Sequence, residues 1–297
     1  MNYAKSVLAV LLAIGFWLSS HATVAGNLFV TDNYGYIDEF TPAGSQSTFA
    51  TALGEPRGLA FDSSGNLFVS NVDTFSIYKF TPDGARSTFA GGSLQPEGLA
   101  FNSSGDLFEA DFGPGGTGHI YEFTPSGNQT TFASGLNDPI GLAFNSSGNL
   151  FEADHESGNI YEFSPSGLRT TFASGILDPL GLAFDSHGNL FVTASDSIFE
   201  FAPDGSESTF ASGLSGEEGL AIDSSDNVFV ATGGNGYIYE FTPAGAESAF
   251  ASGLSDPQDM AFAPVPEPSS VVLCGFAAIG FVAFARRRIR ERDKVMS

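Results

Sequence analysis

The fold is decided by residues 58–97, GLAFDSSGNLFVSNVDTFSIYKFTPDGARSTFAGGSLQPE, because most of the chain between residues 26 and 264 repeats this pattern. One marker of the repeat is the phenylalanine that ends its YEF-like phrase. This residue recurs every 38 to 43 positions, at Phe40, Phe80, Phe123, Phe163, Phe201 and Phe241. A fixed period near 40 predicts a repeat architecture in which each unit buries its apolar face against its neighbours.

Each unit contains four short apolar runs, which in residues 58–97 are GLAF, NLFV, SIYKF and STFA. These runs are rich in Phe, Val, Ile and Thr and are too short for helices, so they predict strands. The segments DSSGN and TPDG between them supply residues that favour tight turns. Four antiparallel strands in about 40 residues predict one blade of a β-propeller.

The number of blades follows from the two ends of the repeat region. The first unit begins at Gly26 without a GLAF strand, whereas the last unit is followed by an extra strand at 259–262. Pairing this strand with the N-terminal three strands would close a ring and leave no open sheet edge. The sequence therefore predicts an all-β, six-bladed propeller of four-stranded antiparallel blades over residues 26–263.

The two ends of the chain predict targeting segments. Residues 1–25 contain Lys5, an apolar run at 7–18 and then small residues, which is typical of a signal peptide cut after Ala25 or after Ala22. The uncharged run at 269–285 predicts one C-terminal transmembrane helix, with the basic end at 286–297 in the cytoplasm.

The tail at 264–297 carries a motif at 265–268, then the apolar run and then the arginines. In this order it resembles the PEP-CTERM sorting signal of bacteria, with Pro266, Glu267 and Pro268 as the sorting motif. The resemblance implies an exosortase-type processing protease as a partner. We expect an exported protein, anchored in the membrane by the C-terminal segment and then placed at the cell surface or in the extracellular matrix. A permanent single-pass anchor is the alternative.

The charge of the repeat region limits its partners. It holds 31 acidic residues against four basic ones, a formal net charge of −27. Such a charge argues against nucleic acid and anionic membrane surfaces as partners. It is compatible with cations or cationic surfaces, and an extracellular polysaccharide or a surface protein remains as a partner class.

Departures from the repeat mark a candidate site in the third and fourth blades. Four blades end the second strand on valine, but these two place Glu109 and Glu152 there. Asp111 and Asp154 follow two residues later, and His155 comes next.

Glu97 precedes the first strand of the third blade and should share their face. Oxygen ligands suit Ca²⁺ or another divalent cation. The predicted metal ligands are Glu97, Glu109, Asp111, Glu152 and Asp154. His155 and Glu152 are the predicted catalytic acid/base pair. The alternative is that the two blades are recent duplicates sharing neutral surface acids, because both contain GLAFNSSG and LFEAD.

The repeats resemble NHL repeats, the gluconolactonase group and the streptogramin lyases, whose repeats also contain G-N-L-hydrophobic and T-P-x-G phrases. In gluconolactonase-like enzymes, residues just before the first strands hold a metal at the central opening. The corresponding positions here are Arg57, Glu97, Ile140, Leu180, Glu218 and Gln258. Of these, Glu97 and Glu218 could bind a metal directly. A streptogramin lyase needs a catalytic histidine, for which His119 and His155 lie on the expected face.

The sequence favours a binding or structural module over an enzyme, because the chain carries a sorting tail and the candidate face lacks a complete catalytic set. The alternative is a divalent-metal-dependent lactonase or lyase of the gluconolactonase or streptogramin-lyase type.

Overall fold

The computed structural model describes residues 26–92, 95–112 and 117–265. The first blade begins with β1 (Leu28–Asp32), β2 (Ile37–Phe40) and β3 (Gln46–Ala50). The second blade consists of β4 (Pro56–Phe61), β5 (Leu67–Asn71), β6 (Ser76–Phe80) and β7 (Arg86–Gly91). The third blade consists of β8 (Pro96–Phe101), β9 (Leu107–Asp111), β10 (Gly118–Phe123) and β11 (Gln129–Leu136).

The fourth blade consists of β12 (Pro139–Phe144), β13 (Leu150–Asp154), β14 (Asn159–Phe163) and β15 (Arg169–Ser174). The fifth blade consists of β16 (Pro179–Phe184), β17 (Leu190–Ala194), β18 (Ser197–Phe201) and β19 (Glu207–Ser212). The sixth blade consists of β20 (Glu217–Ile222), β21 (Val228–Thr232), β22 (Tyr237–Phe241) and β23 (Glu247–Ser252). The last strand is β24 (Pro257–Phe262).

The strands form six four-stranded antiparallel sheets, and the first sheet has the order β24-β1-β2-β3. The closing strand therefore comes from the C-terminal end of the repeats. In its register Leu28 lies opposite Phe262 and Val30 lies opposite Met260. The predicted six-bladed propeller and its closure are confirmed, and the closing strand begins earlier than predicted, at Pro257.

The fold-class prediction needs one correction, because it added a C-terminal transmembrane helix. Across 26–92, 95–112 and 117–265 every regular element is a strand, and no helix there is long and apolar enough to span a membrane. Over the described residues the fold is an all-β propeller and contains no such helix. Residues 269–285, the predicted signal peptide at 1–25 and the sorting motif at Pro266, Glu267 and Pro268 lie outside the described residues.

Phenylalanine fills the space between blades in a repeated arrangement. Phe108 in β9 packs edge-on against Phe132 of its own blade and Phe144 of the next, with both pairs of ring centroids 5.0 Å apart. Phe29, Phe68, Phe151 and Phe229 make equivalent pairs. Each edge-to-face pair adds roughly 0.5–1.5 kcal/mol beyond the burial of its apolar area. The recurrent phenylalanines of the sequence thus join neighbouring blades.

The first strand of each GLAF-type repeat lies at the centre of the ring, where neighbouring backbones approach closely. A Cβ atom on Gly98 would lie 2.1 Å from the carbonyl oxygen of Ile140, and one on Gly141 would lie 2.1 Å from that of Leu180. No side chain fits at those distances. The glycine of GLAF therefore serves the packing of the inner strands.

Candidate functional site

The inner strands surround a central cavity of about 300 Å³. All six positions that the gluconolactonase resemblance singled out line it, namely Arg57, Glu97, Ile140, Leu180, Glu218 and Gln258. Asp138, in the connection that precedes β12, lines it as well. We call Glu97, Asp138 and Glu218, together with Arg57, the channel mouth.

Three carboxyl groups lie close together at the channel mouth. Burial raises the pKa of Glu97 to about 7; Arg57 acts in the opposite direction, and the carboxylates of Asp138 and Glu218 raise this pKa further. The guanidinium group of Arg57 donates a hydrogen bond to Oε1 of Gln258. Glu97 is therefore only partly ionised near neutral pH, and a cation placed beside it would favour its ionised form.

A fourth carboxyl lies on the cavity wall at Asp259, where the other inner strands carry glycine. The backbone N–H of Leu59 donates a 2.8 Å hydrogen bond to this carboxylate. Burial raises the pKa of Asp259 to about 6, although bonds from the N–H groups of Leu59 and Met260 oppose the shift. This residue links the closing strand β24 to the inner strand of the second blade.

Asp111 and Asp154, two of the predicted metal ligands, are buried at the ends of β9 and β13. The Asp111 carboxylate accepts a 2.7 Å hydrogen bond from the N–H of Gln95, and Asp154 accepts one of 2.7 Å from the N–H of Asn137. In the first blade Asp32 accepts bonds from the N–H groups of its own hairpin. A polar side chain at this position thus fixes loop backbone, which gives both aspartates a structural role.

Glu109 and Glu152 are fully buried within the sheets. Glu152 lies opposite Leu142 and Tyr161 in its strand register. Burial raises the pKa of Glu152 well above its ordinary value; Asp154 raises it further, and Arg169 opposes the shift. The sequence held a signal for this burial, because four other blades place valine at the same position.

His155 lies beside Asp138 at the edge of the cavity. Its Nδ1 atom is 3.3 Å from a carboxylate oxygen of Asp138, and its Nε2 atom is 3.9 Å from one of Asp178. Burial raises the pKa of Asp138, whereas His155 lowers it and Glu156 raises it. His119, the other candidate histidine, stacks on Tyr121 with ring centroids 5.6 Å apart.

Within the part of the chain that the structure describes, one group of side chains could hold a metal ion. It consists of Asp138, His155 and Glu156, whose ligand atoms lie within 4.8 Å of one another. None of the five predicted metal ligands belongs to it, and metal binding by those five stays a prediction. The sequence identifies His155 but not Asp138 or Glu156. Neither a linker aspartate nor a hairpin glutamate departs visibly from the repeat pattern.

Comparison with solved structures shows the fold. A chain in the structure of a nidogen/laminin complex has a TM-score of 0.73 and 19% identity, covering 80% of this chain and 98% of that chain. A streptogramin B lyase has a TM-score of 0.64 and 14% identity, covering 79% and 83%. A gluconolactonase from Xanthomonas campestris has a TM-score of 0.64 and 18% identity, covering 80% and 89%.

These neighbours include a propeller from a protein complex as well as lactonase and lyase structures, so the fold is compatible with both classes of function. No protein-family model matches the sequence, and no curated protein matches it.

Proposed function

We propose that this chain is an exported β-propeller that acts as a binding module and takes cationic groups of its partner at the channel mouth. The observation that carries the proposal is the convergence of Glu97, Asp138 and Glu218 on one cavity of about 300 Å³. Arg57 supplies a positive charge there, and its guanidinium group donates a hydrogen bond to the side chain of Gln258. The repeat region around the mouth has a formal net charge of −27.

A lysine side chain matches this cavity physically. The aliphatic side chains of Ile140 and Leu180 line the wall and can pack along its methylene stem. The ammonium group would then lie among carboxylates, two of which, Asp138 and Glu218, raise the pKa of Glu97. Two opposite charges about 4 Å apart attract by roughly 4 kcal/mol at an effective dielectric constant near 20, before the cost of desolvation.

The chain in the nidogen/laminin complex supports a binding role, because its propeller matches this one over nearly its whole length. That protein is named as part of a protein complex, so the same architecture can serve as a binding module. At 19% identity the likeness extends to the fold alone. The choice of a cationic partner therefore rests on the charges of this chain.

The test is a calorimetric titration of the propeller with an oligolysine peptide at low salt and pH 7.5. We expect the double variant E97Q/E218Q to bind about tenfold more weakly, because it removes two carboxylates from the channel mouth. The control E207Q/E247Q removes the same charge from exposed positions on the outer strands β19 and β23. Equal weakening by the two double variants would contradict the proposal, because binding would then follow net charge alone.

The second candidate function is a divalent-metal-dependent lactonase or lyase. The group of Asp138, His155 and Glu156 favours it, because a histidine and two carboxylates can hold a metal and move a proton. The same calorimetric experiment with Ca²⁺ and with Zn²⁺ in place of the peptide separates the two functions. Metal binding that is lost in His155→Ala, together with metal-dependent hydrolysis of a lactone, would support the enzyme.

Export and sorting are also part of the proposal. They rest on the signal-like residues 1–25 and on the motif at Pro266, Glu267 and Pro268, where an exosortase-type protease would act. We expect intact-mass analysis of protein recovered from the cell surface to show a chain that starts at Gly26 and ends near Pro268. A cell-surface protein with its termini still at Met1 and Ser297 would contradict processing at both ends.

A further inference from the structure

Three large aromatic side chains are exposed on the hairpins of the first two blades. Tyr34 is 70% exposed, Tyr36 is 44% exposed and Phe75 is 50% exposed. We call these three residues the aromatic patch. Tyr34 and Tyr36 lie between β1 and β2, and Phe75 lies between β5 and β6.

The linker between the first two blades contacts both hairpins. The N–H of Leu53 donates a 3.2 Å hydrogen bond to the carbonyl of Gly35. A Cβ atom on Gly54 would lie 2.5 Å from the carboxylate of Asp73, so the linker also touches the second hairpin. This linker leads directly into Arg57, which belongs to the channel mouth.

The backbone of the patch is held in place. The Asp32 carboxylate accepts hydrogen bonds from the N–H groups of Tyr34 at 3.0 Å and Tyr36 at 2.8 Å. In the second blade the side-chain oxygen of Asn71 accepts bonds from the N–H of Thr74 at 2.9 Å and from its hydroxyl at 2.7 Å. A surface ordered in advance loses less conformational entropy on binding.

Phe75 adopts a backbone conformation that its side chain disfavours. Its φ is 53°, whereas the corresponding hairpin positions of the fourth and sixth blades are Gly158 and Gly236, with φ of 66° and 70°. A bulky residue in this region is strained, and half of this side chain gains no burial in return. Strain at an exposed aromatic residue points to a contact made outside the chain.

The charges near the patch decide the chemistry of its partner. Acidic side chains at Glu55, Asp73 and Asp256 lie on the same linkers and hairpins. Elsewhere this chain places its own cations over aromatic rings, with Arg86 lying 5.1 Å from the Tyr78 ring centroid and Arg169 lying 4.9 Å from that of Tyr161. Aromatic faces beside carboxylates attract Lys and Arg side chains.

We propose that the aromatic patch binds a basic polypeptide segment in which apolar side chains alternate with lysine or arginine. The apolar side chains pack on the exposed rings, and the cationic ones reach the flanking acids and the channel mouth. The inference rests on the proposed function, since it names the class of partner for the same face of the propeller.

The experiment compares two peptides of equal length and equal lysine content, with leucine or with serine between the lysines. We expect the wild type to bind the leucine peptide about tenfold more tightly, and Phe75→Gly and Tyr34→Ser each to remove most of this difference. Phe75→Gly should leave the melting temperature unchanged or raise it, because it relieves the strained φ. Leu177→Ser, at another exposed side chain that is 69% accessible, should keep the preference.

The outcomes separate this inference from the proposed function. Equal binding of both peptides by the wild type would overturn the aromatic contact but leave the acidic channel mouth as a binding site. Binding of neither peptide would overturn both. A leucine preference that survives in both aromatic variants would overturn the patch as its source. Binding of uncharged dextran by the wild type, lost in Tyr34→Ser, would assign the patch to polysaccharide instead.

Discussion

A chain that ends at Ser255 is expected to lose the cooperative unfolding transition of the propeller. It would lack β24, which supplies the inner strand of the first blade and pairs with β1. It would also lack Phe262, whose ring centroid lies 5.1 Å from that of Phe229 in the sixth blade. The hydrogen bond from the N–H of Leu59 in the second blade to the Asp259 carboxylate would be lost as well. Because one strand closes the ring, the loss should approach the whole stability of a domain, about 5–15 kcal/mol.

Calorimetry and size-exclusion chromatography would measure this effect. The open edge of β1 should pair with other chains, so we expect aggregates in place of a monomer. A chain that ends at Val265 keeps every strand that the structure describes and serves as the control, with the melting temperature of the full chain expected. A monomeric chain ending at Ser255 with an unchanged melting temperature would show that β24 does not close the ring.

The substitution Glu152→Val is expected to stabilise the protein by about 2 kcal/mol at pH 8. Glu152 is 0% exposed, and burial raises its pKa well above the ordinary value. Valine fills the same position in four other blades, where it packs between the sheets. The variant removes a carboxyl that must either stay protonated or be ionised inside the protein.

The pH dependence gives the sign of the effect. The pKa of Glu152 is higher in the folded state than in the unfolded state, where it is about 4.3. Below that pH both states hold the proton, and as the pH rises the unfolded state releases it first. The contribution of Glu152 to wild-type stability therefore falls as the pH rises above about 4.3. We expect the gain in Glu152→Val to be small at pH 4 and to grow toward pH 8.

Thermal denaturation across this pH range measures the gain. The matched control is the reverse substitution Val192→Glu, at the equivalent buried position of the fifth blade, which should destabilise the protein most at high pH. Glu97 and Asp259 also have raised pKa values, so part of the pH dependence should remain in the variant. A variant less stable than the wild type at pH 8 would contradict the account of Glu152.

The architecture could be predicted because each level of the sequence agrees with it. The apolar runs predict the strands, and the phrases with glycine and proline predict the turns. The unpaired strand at 259–262 predicts how the ring of blades closes. The transmembrane helix predicted at 269–285 had no support from the repeats, because it rested only on an apolar run that lies outside them. Hydropathy indicates only whether a segment is apolar enough to enter a membrane. A sequence repeat indicates how many similar units pack together in the fold.

The candidate site was harder to predict because it depends on which side chains meet across blades. The sequence predicts Glu109 and Glu152 on the face that carries the candidate site, but both side chains are buried. The valines at the same position in the other blades indicate this burial. Asp138 meets His155 within the fourth blade, where Pro139 of β12 lies opposite Asp154 of β13, so the contact depends on the register of this strand pair. Exposed aromatic residues in hairpins likewise carry no periodic signal.

The most direct test of the channel mouth is the oligolysine titration performed at pH 6 and at pH 8. Because the pKa of Glu97 is about 7, its carboxyl is mostly neutral at the lower pH and mostly ionised at the higher one. We predict tighter binding at pH 8, with proton release on binding near pH 7, and a clearly smaller pH dependence in Glu97→Gln. Binding that is independent of pH in the wild type, or equally dependent in the variant, would contradict the account.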